Sequence, residues 1–465
     1  MLKLYETYKS FPELWLSKIP KHWDCKRIKY LFSERTEKGF PDEPLLVASQ
    51  NKGVVPKGIY ANRTVEAQKD LHLLKFVRVG DFVISLRSFQ GGIEYAYYQG
   101  IISPAYTVMV PKEDIVSGYF RHLAKSRIFI ELLKMCVTGI REGQNIDYGK
   151  LKNHLIPVPP REEQDQIVRY LDWKLSETNK LIRAKKKQLL LLNELRKACI
   201  DNAVLNGIKP TVTMKESGVY WLGKIPEHWP VLKLKRICRV NASISNMLSS
   251  YNADDMVTFL PMESISSDGT INCSEKRRLE DVRNGFSSFA RNDIVVAKIT
   301  PCFENGKGAF LGSLETDIGF GTTELIVLRA NEKVLPQYLY LITKLRHFRV
   351  LGAEIMTGSA GQKRVPTNFI GNFALGIPDV DEQKEIIKYV KELLTHIDKA
   401  LALVKKEIYL FDEYRTRLIS DVVTGKLDVR DINIPEYEDG TEEMNADIED
   451  EESMTDEEIG EMEEE

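Results

Sequence analysis

The chain has 465 residues, of which 43% are hydrophobic, and its formal net charge is −3. This length and hydrophobic content accommodate two or three domains with substantial cores. Its six Cys and seven His are scattered without a C-x-x-C pair, which argues against a zinc site or a disulfide framework and indicates reduced thiols in a cytosol. No apolar run reaches the roughly 18–20 residues of a membrane span, and the N-terminus lacks the apolar centre of a signal peptide, so we expect a soluble, cytoplasmic protein with no membrane partner.

The charges are distributed unevenly along the chain. Residues 436–465 contain 17 Asp or Glu and no Lys or Arg, whereas the first 435 residues hold 51 acidic and 65 basic residues, a net charge of +14. A basic body favours a polyanionic partner such as nucleic acid, because Lys and Arg displace condensed counterions. The simpler interpretation is a basic protein with a solubilising tail, which we expect to be disordered because so many acids cannot be buried.

The first domain opens with a segment that the chain repeats 206 positions later: "IPKHW" at residues 19–23 returns as "IPEHW" at 225–229. A second matched pair places Glu163-Gln164 on Glu382-Gln383. Units of roughly 210 residues are far longer than solenoid repeats, so the sequence indicates two copies of one domain, each followed by a second element.

Within each copy, strand and helix patterns interleave without a regular β-α-β order, which favours an α+β fold. Strands are predicted over residues 80–87 and 105–110, followed by a helix over residues 116–135. The second copy has the matching strand segments 292–300 and 324–329 and a helical segment over 336–351.

The element that follows each domain is a long helix with an apolar heptad seam, and the two seams share one register. Two such helices are expected to pack on each other. Thr178 and Lys185 interrupt the apolar seam of the first helix, and we expect each to face an apolar residue of the second. About 40 residues predict a rod of roughly 60 Å. A pseudo-two-fold axis would make the helices antiparallel, with a globular domain at each end, as in a dumbbell.

The predicted boundaries follow this order. The first domain is 1–155, the central long helix 156–207, the second domain 208–375, the C-terminal long helix 376–430, and the acidic tail 431–465.

Motifs for catalysis and cofactor binding are absent from the sequence. It contains neither G-x-x-x-x-G-K-[ST] nor a glycine fingerprint for a dinucleotide or methyl donor. Asp379 and Glu382 mimic part of a nuclease cluster, but their spacing at a helix start is that of a capping box. His22 and His228 recur beside the repeated tryptophans, and we interpret them as polar neighbours of a packed Trp. We therefore expect neither metal nor catalysis in this chain.

These repeated motifs, together with Gly-Gln pairs before each long helix and "VVTGKLDVR" near the end, resemble the specificity subunit of type I restriction–modification systems over about residues 10–430. The resemblance implies a non-catalytic subunit in which each domain reads one half of a split DNA target. The helix pair would set the spacer and dock methyltransferase subunits. S-adenosylmethionine, ATP and Mg would belong to the methyltransferase and restriction or motor subunits, with no cofactor in this chain.

Candidate DNA-reading residues are polar side chains on glycine-ended loops, because Arg and Lys favour guanine edges and Asn and Gln favour adenine. They are Arg87, Ser88, Gln90 and Tyr106 in the first domain, and Lys298, Thr300, Asn305 and Lys307 in the second. The alternative is that they contact phosphates or are solvated turn residues. Two other functions remain open at this point: a self-contained DNA-modifying enzyme, or a tandem scaffold that binds proteins.

Overall fold

The computed structural model describes residues 3–50, 52–59, 70–86, 88–138, 145–359 and 361–437. Most of the acidic tail lies outside the described residues. In the described part, each repeat consists of short strands and short helices and ends in one long helix. The predicted α+β class, with tandem domains and long helices, is confirmed.

The first domain contains fourteen strands among its described residues. They are β1 (Tyr8–Glu13), β2 (Leu16–Pro20), β3 (Asp24–Arg27), β4 (Phe32–Arg35), β5 (Leu46–Ser49), β6 (Gly53–Pro56), β7 (Lys75–Val77), β8 (Phe82–Ile84), β9 (Glu94–Tyr95), β10 (Gly100–Ile102), β11 (Thr107–Pro111), β12 (Val137–Thr138), β13 (Asn145–Ile146) and β14 (Leu155–Val158). Its helices are α1 (Ile28–Leu31), α2 (Ser88–Gly91), α3 (Ser117–Lys125), α4 (Arg127–Met135) and α5 (Tyr148–Leu151), and the long helix α6 (Arg161–Asn206) follows. Its largest sheet is antiparallel, in the order β4-β11-β8-β9.

The second domain repeats this sheet and adds another. Its strands are β15 (Met214–Glu216), β16 (Lys224–Pro226), β17 (Val231–Lys233), β18 (Cys238–Val240), β19 (Met256–Leu260), β20 (Lys276–Arg278), β21 (Ser287–Ala290), β22 (Ile294–Ala297), β23 (Gly308–Phe310), β24 (Ile318–Gly321), β25 (Leu325–Ala330) and β26 (Ala374–Gly376). Its helices are α7 (Ser245–Leu248), α8 (Leu279–Val282), α9 (Pro336–Lys344), α10 (Arg346–Glu354) and α11 (Thr367–Asn372), and the long helix α12 (Val380–Val423) follows. The repeated antiparallel sheet has the order β18-β25-β22-β23, and the added sheet has the order β20-β19-β24-β21.

Strands β8 and β22, which occupy the same place in the repeated sheet, begin in the same way. Each follows a turn with positive φ, at Gly80 (93°) and Asn292 (70°), a conformation that glycine and asparagine adopt most readily. The next residue is a buried aspartate, Asp81 or Asp293, whose carboxylate accepts a backbone N–H within the turn and pairs with an arginine of the same sheet, Arg35 or Arg329. The alternating pattern after a turn therefore identified equivalent central strands.

The sequence predicts one helix over residues 116–135, whereas the structure has two, α3 and α4. Ser126 between them has an extended backbone. Its hydroxyl accepts from the Phe129 N–H at 3.3 Å and donates to the Leu123 carbonyl at 2.7 Å. The serine thus caps both helix ends at the break, which a hydrophobic pattern alone does not reveal. The second domain has the same break at Leu345.

The chain divides into two compact units that do not follow chain order. The first combines residues up to Lys186 with those from Lys406 onward, and the second is Lys187–Lys405. Each unit therefore holds one domain, the first part of the long helix that follows it and the last part of the other long helix.

Within each unit the two helix segments are antiparallel. In the first unit, Asn179 is hydrogen-bonded to Arg415, and Lys185 pairs with Glu407 at 2.7 Å. In the second, Arg196 pairs with Asp398 at 3.2 Å. Lys185 interrupts the apolar seam, and its ammonium group pairs with the Glu407 carboxylate across the helix pair, because apolar seam residues offer a charge no hydrogen-bond partner.

The end of one long helix completes the core of each domain. Leu418, Val422 and Val423 of α12 are buried in the first core, and α6 contributes Ile200, Ala203 and Val204 to the second. Burying each Leu, Val or Ile side chain stabilises the unit by about 1.5–3 kcal/mol. A buried tyrosine in each domain, Tyr119 or Tyr338, donates its hydroxyl to a backbone carbonyl of the incoming helix, at 3.0 and 3.2 Å.

Candidate nucleic-acid interface

The repeated I-P-x-H-W motif forms a hydrogen-bonded node with the Glu of the repeated Glu-Gln pair. In the first unit, Trp23 is fully buried and its indole N–H donates to Glu163 Oε1 at 2.9 Å. The Tyr5 hydroxyl donates to the same oxygen at 2.5 Å, and His22 Nε2 lies 2.7 Å from Glu163 Oε2. One carboxylate therefore joins the domain edge to the start of α6.

The second unit contains the same node with one member fewer. The Trp229 indole N–H donates to Glu382 Oε2 at 2.9 Å, and His228 Nε2 lies 2.8 Å from that oxygen. Asp379 caps α12 as predicted, since its carboxylate accepts the Glu382 N–H at 2.9 Å. The Glu382 half of the predicted capping box is wrong, because its side chain binds Trp229 and His228.

The glutamines of the repeated pair position the helices that face the sheets. The Gln164 side chain accepts the Val116 N–H at 2.8 Å, at the start of α3. Gln383 accepts the Leu335 N–H at 2.8 Å, at the start of α9. Gln164 and Gln383 also donate to nearby carbonyls, so their amide groups are used on both sides. The matched sequence segments are thus a scaffold, and the chemistry that differs between the domains lies in their loops.

The first candidate loop links β8 to β9. Arg87 lies outside the described residues, whereas Gln90 is exposed on α2. Tyr106 is half-buried and precedes Thr107, which pairs with Ile84 at the end of β8, so it lies beside the start of this loop.

Ser88 is a correction to the candidate set. Its side chain is fully buried, and its hydroxyl accepts the Ser85 N–H at 2.8 Å. A buried hydroxyl engaged with the backbone stabilises the turn and does not reach a base edge. We therefore remove Ser88 from the candidates for DNA contact.

The second candidate loop links β22 to β23 and brings its four candidates together. Lys298, Thr300, Asn305 and Lys307 are all half-buried. The loop closes on itself, since the Ala297 N–H donates to the Lys307 carbonyl at 3.0 Å and the Asn305 N–H donates to that of Pro301 at 2.9 Å. Thr300 also anchors the loop, because its hydroxyl accepts the Lys363 N–H at 3.1 Å. The amide, hydroxyl and ammonium groups on this loop are those that bind base edges and phosphates.

The sequence does not predict the charged groups that lie behind both loops. Burial raises the pKa of Glu94 to about 7, although the neighbouring Lys125 ammonium group opposes the shift. In the second domain, burial lowers the pKa of Lys344 well below its ordinary value and that of Arg349 to about 10. Extending the repeat alignment through the helices would have matched Lys125 with Lys344, because both lie 219 positions apart, as Glu163 and Glu382 do.

The described residues hold neither a metal-ligand cluster nor a membrane-spanning helix. In that part of the chain, no three His, Cys, Asp or Glu side chains lie close enough to share a metal ion. None of its helices combines the length and hydrophobicity that crossing a bilayer requires.

The fold and the loops together define a protein with two equivalent α+β domains. Each domain has a polar loop that connects the last two strands of its four-stranded antiparallel sheet, β8 and β9 in the first domain and β22 and β23 in the second. The chain belongs to the family described as type I restriction modification DNA specificity domain, whose model matches residues 20–191 and 226–408.

Named relatives agree with this membership. The chain is 33% identical over 252 residues to the type I restriction enzyme EcoAI specificity subunit of Escherichia coli, a match that covers 54% of this chain and 38% of that relative. It is 22% identical over 454 residues to the MjaVIII specificity subunit of Methanocaldococcus jannaschii, covering 93% of this chain and all of that one. A solved structure described as "Structural basis underlying complex assembly and conformational transition of the type I R-M system" contains a chain with the same fold (TM-score 0.63, 13% identity, 88% and 99% coverage).

Proposed function

We propose that this chain is the non-catalytic DNA-specificity subunit of a type I restriction–modification complex. Each domain reads one half of a bipartite sequence in double-stranded DNA. The observation that carries the proposal is the duplicated scaffold with divergent loops: the same Trp–Glu node and the same sheet present different polar groups in the two domains. Two different readers on one scaffold suit a target whose halves differ.

The readers are the loop between β8 and β9, with Arg87, Gln90 and nearby Tyr106, and the loop between β22 and β23. In the second loop, Lys298 and Lys307 supply ammonium donors, and Asn305 supplies an amide that both donates and accepts. Such groups discriminate base edges in the major groove, each good bidentate pair contributing about 1–3 kcal/mol.

The helix pair sets the spacer between the half-sites and docks methyltransferase subunits. Helices of 46 and 44 residues are about 69 and 66 Å long, and their paired segments resist bending. Exposed apolar side chains on these helices, such as Leu191, Leu403, Tyr409 and Leu410, are available for subunit contacts. S-adenosylmethionine, ATP and Mg act in the methyltransferase and restriction or motor subunits, and the complex works on DNA in the cytoplasm.

Methylome sequencing tests this function. A host that expresses the chain with its methyltransferase subunits should gain methylated adenines in one gapped motif, and neither component alone should produce them. Inserting one heptad at facing positions of both helices lengthens each by about 10.5 Å, so the gap should grow by about three base pairs. An ungapped motif, or methylation by the chain without its partner, would refute the proposal.

A further inference from the structure

One lysine holds an equivalent position in each domain. Lys125 is the last residue of α3, and Lys344 is the last residue of α9. In both domains the next residue has an extended backbone and leads into a second nine-residue helix. The two ammonium groups therefore start from matching places in the repeat.

In the first domain, the Lys125 ammonium group ties three segments together. It donates to the carbonyl oxygens of Gly91 and Gln50, both at 2.9 Å. It also pairs with the Glu94 carboxylate, at 2.8 and 2.7 Å from the two oxygens. Gly91 ends the short helix that carries Gln90, and Glu94 begins β9, so one side chain holds the segment between them at both ends.

In the second domain, Lys344 binds the corresponding loop through carbonyl groups. Its ammonium group donates to Ser267 at 2.8 Å, to Gly306 at 3.0 Å and to Gly308 at 3.4 Å. The Arg349 guanidinium adds a bond to the Gly306 carbonyl at 3.1 Å. The two domains thus use different acceptors, but both lysines bind the end of the loop that carries the candidate readers.

Glycines at these contacts show independently that each loop sits directly on its helix. Gly92 has a φ of 90° and Gly306 a φ of 80°. A Cβ on Gly92 would collide with the carbonyl oxygen of Ala124, and one on Gly306 would collide with the Arg349 guanidinium. The first loop therefore has no room to shift towards the backbone of α3, the second loop packs against the Arg349 side chain of α10, and the lysines hold both loops in place.

We propose that Lys125 and Lys344 are positioning residues for DNA readout, each clamping the loop by which its own domain reads its half-site. This inference rests on the proposed function. Base discrimination depends on hydrogen bonds that weaken steeply when distance or angle changes, so a reader must hold its donors still. Removing the ammonium group takes a donor from the Gly91 and Gln50 carbonyls and from Glu94 in the first domain, and from the Ser267, Gly306 and Gly308 carbonyls in the second, where only Gly306 keeps a second donor from Arg349, so each loop loses most of its attachment.

Hydrogen–deuterium exchange on the free full-length chain tests the clamp without DNA. Lys125→Met should speed exchange in residues 88–96 and leave residues 298–310 unchanged, and Lys344→Met should do the reverse. Strands β11 and β25 should keep their protection, which shows that each domain is still folded. Lys134→Met, at an exposed lysine of α4 that pairs with Glu131, is the control and should change neither loop. Unchanged exchange in the matching loop would overturn the proposal.

A second measurement uses the chain with its methyltransferase subunits and the target mapped by methylome sequencing. Three duplexes are compared: the intact target, one with the first half-site scrambled and one with the second scrambled. Lys125→Met should lose roughly tenfold or more of the discrimination at one half-site, about the size of one lost base contact, and Lys344→Met should lose it at the other. Affinity for unrelated DNA should not change, since both ammonium groups bind carbonyl or carboxylate oxygens of the chain itself.

The outcomes separate the clamp from the proposed function. A loosened loop with full discrimination at both half-sites, or an equal loss at both, overturns the clamp. A wild-type complex that binds all three duplexes equally instead overturns the proposed function. If a Met variant loses strand protection, Lys125→Arg or Lys344→Arg replaces it, because arginine keeps a cation with several donors. With the Arg variants, loop exchange and half-site discrimination must change together, and a change in one without the other overturns the clamp.

Discussion

The carboxylate of Glu163 is the most informative single group to remove, because three side chains converge on it. Glu163→Ala deletes the acceptor for the Tyr5 hydroxyl and the Trp23 indole N–H, both in buried side chains, and for the half-exposed His22. Water can replace the bond to His22 but not the other two. We therefore expect the first unit to lose more stability than the second unit loses with the matching change, Glu382→Ala.

The magnitude follows from counting buried donors. An unsatisfied buried donor costs about 1–3 kcal/mol. Glu163→Ala leaves two, Tyr5 and Trp23, and should lower the free energy of unfolding of the first unit by about 2–6 kcal/mol. Glu382→Ala leaves one, Trp229, because His228 is half-exposed, and should cost the second unit about 1–3 kcal/mol. Glu163→Gln keeps one acceptor oxygen and should fall between wild type and Glu163→Ala.

Hydrogen–deuterium exchange during urea unfolding measures the two units separately. Peptides from β11 should report the loss in the first unit, and peptides from β25 the loss in the second. Glu162→Ala, at the exposed neighbour, should change neither by more than about 0.5 kcal/mol. Equal losses for Glu163→Ala and Glu382→Ala, or a loss below about 1 kcal/mol for Glu163→Ala, would refute this account of the repeated motif.

Three further predictions concern the first domain and the helix pair. Gln90→Ala should relax the preference at one half-site in duplex binding, whereas Ser88→Ala should lower stability by about 1 kcal/mol and leave the preference intact; the opposite assignment would contradict the burial argument. Because the raised pKa of Glu94 lets the folded chain keep a proton that the unfolded chain has lost, its contribution to stability is present at low pH and falls as pH rises from about 4.5 to about 7. Glu94→Gln should remove that fall in pH-dependent unfolding, and a wild-type minus variant difference that is constant over this range would exclude it. Lys185→Leu should change stability by no more than about 1 kcal/mol in urea unfolding, since a partly exposed pair with Glu407 contributes little and leucine suits the seam; a larger loss would mean that the ion pair specifies the helix register.

Much of the architecture can be predicted from the sequence because its main motifs occur twice. The duplicated Trp and Glu-Gln motifs predict two domains, and the heptad spacing predicts two long helices that pack together. Alternation after the Gly80 and Asn292 turns locates the central strands. These signals are local: each depends on residues within one turn, one strand or a few helical turns, so tertiary contacts are not needed to detect them.

The tertiary structure alone decided which groups meet across long sequence separations. Spacing suggested that Glu382 caps its own helix, but its carboxylate binds Trp229, 153 positions earlier. Ser88 is a polar residue in a candidate loop, as a DNA-contacting residue would be, but packing buries its side chain. The lysines behind both loops lie in no local sequence pattern that indicates their contacts. Such contacts arise because a buried donor or charge takes whatever partner the packed domains bring to it, and that partner is set by the whole fold and not by the neighbouring residues.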